Sequence, residues 1–587
     1  MKNIAAAIPQ KLFGWTCAVI LIVMLVNVWH PFLWGPDEPR EAEIARETLL
    51  SGNYVTPHFN QIPFVEKPPL YYDLAALAFR LCGGEADRGF LHPGAARMVS
   101  ALLGVLMLIA LLIFAWEKIG PLPAVIACSI CIAMPQFYRA SHWILLDIGV
   151  GAFITAGLAI YGFMALRKPE NNLLHALFFL CAAAAFLTKG TITLVYLGCI
   201  ILPYQIYKRR LLPCRLNWTM LFFLVPVGIW LWFFYREGGI YYLHEHFINN
   251  IIGRFLHKNI HLPGSPVTVF DVGNSSPWSF YLERSPNMFG AALVLIPPAL
   301  GEIYRIFRLP FPVVRKPKAL LKLWDVLTAP RREFTPEERD LLVYLLCWAL
   351  VPIILFSIPS IKEVTYILPS YAGIALLCAW YLDDRLDLSR LNDREIRRGL
   401  FLPCIVFALA AQILAPWSTT GFLILAAVIY GVLAVSVICC ILRKNPHGIL
   451  LLILSGLIGA VILGNTPEIM RKTRLNRKCY DSFAASVWEM IGERKLYIFG
   501  CDESIRGSMP FYGSRKVTIL PDADHVLKHM NQTDQAVMMT EGSFNSLSKN
   551  SDFTQRLRGC RIVKPCFPQK AGTFVLLLQN NSSEPVR

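Results

Sequence analysis

The stretch LFGWTCAVILIVMLVNVW, from Leu12 to Trp29, decides the fold class because it carries no charged residue over a length that spans a bilayer. It is too long for the apolar core of a signal peptide, and no A-x-A-like cleavage pattern follows it, so we expect a retained transmembrane helix. Similar apolar windows recur along the 587 residues. The sequence therefore predicts a polytopic α-helical membrane protein.

The composition supports this class, since 55% of the residues are hydrophobic and only 16% are charged. A soluble globular chain averages about 25% charged residues. The net charge of +16 lies largely in short loops between apolar windows, so topology explains it and no nucleic-acid partner is expected. The sixteen cysteines are scattered, and most are interpreted as small apolar side chains that fill space in the spans.

Thirteen spans are predicted, and a shorter apolar segment at 69–82 leaves a count of fourteen open. The thirteen lie at about 12–30, 98–116, 121–138, 147–166, 173–188, 191–207, 218–235, 288–304, 341–358, 366–382, 399–416, 421–442 and 449–465. The short loops rich in Lys and Arg alternate so that they share one side, which the positive-inside rule assigns to the cytoplasm together with the N-terminus. We therefore expect an inner-membrane protein with a periplasmic C-terminus.

The composition changes after about residue 466, where the short runs KLYIFG, KVTIL, QAVMMT and TFVLLLQ are typical of β-strands. This predicts a small periplasmic α/β domain at 466–587. It follows a transmembrane domain at 1–465, whose two long periplasmic loops are expected at 31–97 and 236–287.

The segment after the first span predicts a helix, which Pro39 helps to begin and Ser51-Gly52 to end. Its apolar and charged residues fall on opposite faces, which predicts an amphipathic helix lying on the membrane. Glu41, Glu43 and Glu47 are then expected to face solvent or headgroups. Asp37 at its start has two interpretations, a helix cap that meets the dipole or a functional carboxylate.

Other unusual polar residues are predicted to lie on the same outer face, which favours a site over a random scatter. Asp147 begins a span, where an acid indicates a site, an N-cap or an ion pair with Arg139. Lys189 is either a functional cation or a snorkelling anchor. His244 and His246 are two residues apart, a spacing that does not place two metal ligands on one face of a helix. The pair is also typical of a solvated loop. The further members are Glu66, Lys67, Lys362 and Tyr366.

This set of side chains indicates an anionic, lipid-linked substrate. Lys and Arg bind phosphate or diphosphate, and a carboxylate can deprotonate an acceptor hydroxyl or stabilise an oxocarbenium-like centre. No Walker loop, GxGxxG, HExxH or GxSxG motif occurs in a supporting context, which argues against chemistry on soluble nucleotides.

Five stretches carry a family resemblance, WGPDEPREAEIARETLLSGNYVTP, FVEKPPLYY, LLD, LTKG and SIKEVTYILPSYAGIALL. In order and spacing they resemble the aminoarabinose transferase branch of the protein-mannosyltransferase-like glycosyltransferases of GT-C architecture. The resemblance covers about residues 10 to 380, and Glu363-Val364-Thr365 departs from the family's Lys-x-Pro-x-Tyr pattern.

The resemblance implies thirteen spans, a periplasmic C-terminal domain, a polyprenyl-phosphate sugar donor and transfer to lipid A or another envelope acceptor. It implies that Asp37 is the catalytic aspartate and Asp147 the second acid of the cavity, with Tyr366 in the donor pocket. Phosphate contacts are implied for Arg40, Lys67, Lys189, Arg254 and Lys362. Glu66 and His246 resemble a pair that holds a divalent metal in a relative.

Three hypotheses remain open at this point. The first is a glycosyltransferase that uses an undecaprenyl-phosphate sugar, such as 4-amino-4-deoxy-L-arabinose, and lipid A or another envelope glycolipid. The second is a transferase of the same fold that acts on protein, like an O-mannosyltransferase, or on another glycan. The third is a lipid flippase or transporter, in which charges near the bilayer midplane and interrupted helices are expected. Charges at the outer mouth favour an enzyme.

Overall fold

The structure is a computed structural model that describes residues 8–35, 37–83, 91–167, 171–209, 217–253, 256, 258, 260, 262, 275–307, 328–330, 332–386, 480–565 and 574–579. Arg254 and the predicted spans at 399–416, 421–442 and 449–465 lie outside these residues.

The N-terminal part of the described chain is helical. Five of its helices are long and apolar enough to cross a membrane, or six if one bent pair forms a single span. The helices are α1 (Ile8–Leu25), α2 (Asp37–Ser51), α3 (Leu70–Leu81), α4 (Pro93–Lys118), α5 (Pro121–Ile132), α6 (Pro135–His142), α7 (Asp147–Arg167), α8 (Asn172–Lys189), α9 (Ile192–Tyr207), α10 (Leu221–Leu243), α11 (Phe280–Glu283), α12 (Ser285–Phe289), α13 (Ile296–Ile306), α14 (Pro336–Phe356) and α15 (Leu368–Leu386). A hairpin of β1 (His58–Phe59) and β2 (Ile62–Pro63) connects α2 to α3.

Several predicted spans are interrupted or displaced. The span predicted at 121–138 is the bent pair α5 and α6, which meet at 74° where Pro135 begins the second helix. The span predicted at 288–304 is divided among α12, a 3₁₀ turn over Gly290–Val294 and α13. The loop predicted to begin at 236 is instead helical as far as Gly253, apart from a kink at Gly239, because α10 is followed directly by a π-helix over His244–Gly253.

The C-terminal part of the described chain is an α/β unit with a five-stranded mixed sheet. The strands are β3 (Lys495–Phe499), β4 (Val517–Ile519), β5 (Gln535–Thr540), β6 (Cys560–Val563) and β7 (Phe574–Gln579), in the order β4-β3-β5-β7-β6. The helices are α16 (Tyr480–Ile491), α17 (Glu503–Gly513), α18 (Ala523–His529), α19 (Glu541–Leu547) and α20 (Ser551–Leu557). Strand β6 was not predicted, since this edge strand exposes Arg561 and Ile562 side by side.

Helix α2 forms where it was predicted, but its environment is not the predicted one. It packs against α3 and against α17 of the C-terminal unit, and most of its side chains are buried. Glu41, Glu43 and Glu47 are among the buried residues, so the expectation that they face solvent or headgroups is wrong. The cause is that each carboxylate has an internal partner, such as Arg46 for Glu43 at 2.7 Å.

Candidate functional site

A fully buried ion pair fixes the start of α2. Arg97 of α4 donates to both carboxylate oxygens of Glu38 at 2.8 Å, and to the backbone carbonyls of His30, at 2.8 Å, and Phe32. The same carboxylate accepts the backbone N–H of Trp34 at 2.6 Å and of Ile144 at 2.8 Å. Glu38 therefore joins α2 to α4, to the segment that leaves α1 and to the segment that enters α7.

Asp37, one residue earlier, belongs to a second network that opens to solvent. Its side chain is 38% exposed and accepts from Nη2 of Arg40 at 3.1 Å. The same Nη2 donates to Glu41 at 2.6 Å, and Glu41 also accepts from Nζ of Lys67 at 3.1 Å and from the Tyr72 hydroxyl at 2.5 Å. One buried carboxylate thus binds both Lys67 and Arg40, and Arg40 also binds Asp37.

The electrostatics of Glu41 follow from these partners. Burial raises the pKa of Glu41, but Lys67, Arg40 and the Tyr72 hydroxyl together outweigh it and lower the pKa to about 2. Glu41 is therefore an anion at neutral pH, and it partly neutralises both cations.

Asp147 forms a second acid–base pair at the N-terminus of α7. It accepts from Nζ of Lys189, at the C-terminal end of α8, and from the hydroxyl of Thr365 at 3.1 Å. The Lys189 ammonium also lies 4.3 Å from the centre of the Tyr366 ring. Of the partners weighed from the sequence, the structure has an ion pair, but with Lys189 rather than Arg139.

Lys67, Asp147 and Lys189 border a cavity of about 500 Å³, whose wall does not include Asp37 or Arg40. Its polar wall includes a predicted catalytic acid, two predicted phosphate ligands, the predicted donor-pocket residue and the predicted metal pair. These are Asp147, Lys67, Lys189, Tyr366, Glu66 and His246. The remaining wall is largely apolar and includes Val150, Val195, Leu355, Phe356 and Ile358. The cavity therefore has the chemistry to bind a molecule with an anionic head and a hydrocarbon tail.

Glu363 is a carboxylate that sequence reasoning missed. Burial raises its pKa, as do the neighbouring charges of Asp37 and Asp147, while Lys189 and Arg139 oppose the rise. Glu363 therefore lies within electrostatic range of both Asp37 and Asp147, which belong to different helices. The available signal was that Glu363 stands where the chain departs from the family pattern.

The structure separates Lys362 from Lys67 and Lys189, the two predicted phosphate ligands that line the cavity. Its side chain is buried, and its ammonium donates to the backbone carbonyl of Ser276 at 2.9 Å. It is absent from the cavity wall, to which Ile361 and Tyr366 contribute.

The predicted metal pair, Glu66 and His246, lies in the cavity wall. His246 donates from Nδ1 to the carbonyl of Val65 at 2.9 Å, which leaves its buried Nε2 without a hydrogen-bond partner among the described residues. That nitrogen suits a metal ligand. Within the same residues, however, no three His, Cys, Asp or Glu side chains are grouped as metal ligands, so a closed protein site of the structural type is not formed there.

Comparison with known proteins identifies similar chains, although no family model matches. A protein of Edwardsiella ictaluri named undecaprenyl phosphate-alpha-4-amino-4-deoxy-L-arabinose arabinosyl transferase is 28% identical over 432 residues, which cover 70% of this chain and 67% of that protein. A protein of the same name from Aeromonas salmonicida is 26% identical over 490 residues, 80% of this chain and 75% of that protein. These relatives confirm the resemblance seen in the motifs.

The crystal structure of ArnT from Cupriavidus metallidurans bound to undecaprenyl phosphate superposes with a TM-score of 0.66. The match covers 99% of each chain at 20% identity, so it establishes the fold. The predicted GT-C architecture and the multi-pass membrane character are confirmed at this level.

Proposed function

We propose that this chain, a membrane glycosyltransferase with the GT-C fold of the aminoarabinose transferases, moves a sugar from undecaprenyl phosphate to lipid A or another envelope glycolipid. The observation that carries the proposal is a cavity whose wall combines two lysines with a largely apolar remainder. A polyprenyl phosphate has the same two parts. The sugar transferred by the named relatives, 4-amino-4-deoxy-L-arabinose, is the first candidate.

The cations in the cavity wall support binding of the donor phosphate. Lys67 and Lys189 both line the cavity and approach it from different elements, the segment before α3 and the end of α8. Each is balanced by a carboxylate, Glu41 or Asp147, which keeps the buried charge paired before the donor enters. A phosphate can then share these ammonium groups through charge-assisted hydrogen bonds.

In this mechanism Asp37 acts on the reacting groups. Its carboxylate is partly exposed and fixed by Arg40, so it can accept a proton from an acceptor hydroxyl or stabilise positive charge that develops on the sugar. Asp147, paired with Lys189, would fix that cation beside the donor phosphate. In a metal-dependent reaction, Glu66 and His246 would hold a divalent ion, which supplies positive charge near the phosphate.

The location of these groups favours an enzyme over a transporter. Asp37 and Arg40 begin α2, and Asp147 begins α7, so the charges lie at helix ends rather than inside spans.

We place these charged helix ends on the periplasmic side of the bacterial inner membrane. The proposed topology has thirteen spans, the N-terminus in the cytoplasm and the domain at 466–587 in the periplasm. The test is to introduce a cysteine at residue 583 and to label it with a reagent added on the periplasmic side. A cysteine that reacts only with a reagent added on the cytoplasmic side would overturn this topology.

The function is tested with purified protein in detergent, given undecaprenyl-phosphate-linked aminoarabinose together with lipid A. Consumption of the donor and a matching mass increase in lipid A are expected. Parallel reactions with a Ser/Thr peptide test transfer to protein. If undecaprenyl-phosphate sugar crosses a vesicle bilayer without being consumed, the chain is a flippase instead.

Lys67→Ala and Lys189→Ala should each weaken use of the donor about 10- to 100-fold, because each removes a charge-assisted contact worth roughly 1.5–3 kcal/mol. The measurement is the donor KM and kcat/KM. The matched control is Lys208→Ala, which removes a lysine paired with Asp340 at the other end of α9 and should leave donor use unchanged. If both cavity variants keep the normal KM and kcat/KM, these lysines serve as anchors only.

A further inference from the structure

Helix α17 of the C-terminal unit lies directly on the first turn of α2. The two helices approach each other closely at Gly507, where an added Cβ would lie only 2.3 Å from the backbone oxygen of Pro39. No side chain fits in that space, so glycine allows the two backbones to meet.

Polar contacts fix α17 on both sides of this approach. The Tyr512 hydroxyl accepts the backbone N–H of Leu33 at 2.8 Å and donates to the carbonyl of Pro31 at 2.9 Å. Asn60 donates to the carbonyl of Arg506 at 2.9 Å and accepts from its Nε at 3.2 Å. The C-terminal unit is therefore held in a defined position relative to α2.

From this position Glu503, the first residue of α17, reaches Arg40. Its Oε2 accepts from Nη1 of Arg40 at 2.5 Å, whereas Nη2 of the same guanidinium donates to Asp37 and Glu41. One planar group therefore connects the C-terminal unit to Asp37. Because the guanidinium is rigid, fixing Nη1 also fixes where Nη2 points.

We propose that Glu503 is a positioning residue of the transferase site, which acts through Arg40 to hold the Asp37 carboxylate in place. This inference rests on the proposed function, because it assumes that Asp37 takes part in the reaction. It assigns to the C-terminal unit a part in catalysis in addition to its own packing. It also changes the role expected of Arg40, whose single charge already has three carboxylate partners.

The test is Glu503→Gln, which keeps the length of the side chain and removes its charge. Since Glu503 is 41% exposed, we expect a moderate effect, a fall in kcat of about fivefold with little change in the donor KM. Glu493→Gln is the matched control, because Glu493 is a surface carboxylate of the same unit paired with Arg515. That control should keep the normal kcat.

The variant is also made in an Arg40→Gln background. If Glu503 acts through Arg40, Glu503→Gln causes no further fall in kcat there. An equal fall in both backgrounds would overturn the proposal, since it would indicate an effect independent of Arg40. An unchanged kcat in otherwise normal protein would overturn it as well.

Hydrogen exchange of the second-turn N–H groups of α2, which donate to the carbonyls of its first turn, provides a readout that needs no turnover. Exchange there should quicken in Glu503→Gln and stay normal in Glu493→Gln, because only the first change removes a charged partner of Arg40. Unchanged exchange in Glu503→Gln overturns the positioning role. If the unmodified protein transfers no sugar but exchange is faster in Glu503→Gln, the proposed function is refuted. The contact between Glu503 and Arg40 would still be supported.

Discussion

Asp37→Asn should slow sugar transfer about 100-fold or more while the protein stays folded, since general-base contributions are about 10²–10⁴. Asparagine can still accept the hydrogen bond that Arg40 donates to Asp37 at 3.1 Å. It also caps a helix about as well as aspartate does. The substitution therefore removes the negative charge and the basicity and leaves local structure in place.

A purely structural Asp37 gives a different result. Loss of its interaction with the helix dipole then costs at most about 1 kcal/mol of stability, and turnover stays near normal. Turnover and unfolding temperature are measured together, with Glu237→Gln as the control because Glu237 is an exposed carboxylate that contacts Asn53 at 3.4 Å. Near-normal turnover of Asp37→Asn would reduce Asp37 to a helix cap.

Arg97→Met should lower the free energy of unfolding by about 3–5 kcal/mol, the loss typical of removing one partner from a buried ion pair. Both side chains of the Arg97–Glu38 pair are fully buried, so the remaining Glu38 carboxylate has no route to water. The backbone N–H groups of Trp34 and Ile144 still bind it, which favours the lower end of the range.

Unfolding in detergent, followed by tryptophan fluorescence, measures this loss. Lys495→Ala is the control, because its pair with Asp534 is 3.7 Å long and exposed on both sides, and such pairs contribute about 0–1 kcal/mol. Arg97→Met combined with Glu38→Gln should recover part of the loss, since no buried charge is left. A loss no larger than that of the control would contradict a structural role for the pair.

The sequence predicts those parts of the fold that depend on local patterns. The apolar windows locate most of the described spans, and four of the five C-terminal strands lie in the predicted runs. The break at Pro135 and the π-helix over His244–Gly253 were missed, because average hydropathy is insensitive to backbone geometry.

The candidate site likewise contains residues that local sequence patterns identify and contacts that such patterns miss. Lys67, Asp147 and Lys189 stood out because charges beside apolar segments are unusual, and the structure brings all three to one cavity. Glu41 looked solvated, since its helix has a charged face that is typical of a surface. Its buried carboxylate has partners outside its own helix, Lys67 and the Tyr72 hydroxyl, and the contact between Arg40 and Glu503 joins residues still farther apart in sequence.

That separation also has a consequence for biosynthesis. During translation Asp37 is added near the start of the chain, and Glu503 is added 466 residues later, since 503 minus 37 is 466. At about 5–20 residues per second, α2 waits roughly 25–90 s on the ribosome-bound chain before α17 exists to cover it. A helix that carries five acidic residues remains well hydrated during that interval, whereas an apolar helix would expose a surface prone to aggregation. The charges of α2 thus suit the nascent chain as well as the finished enzyme.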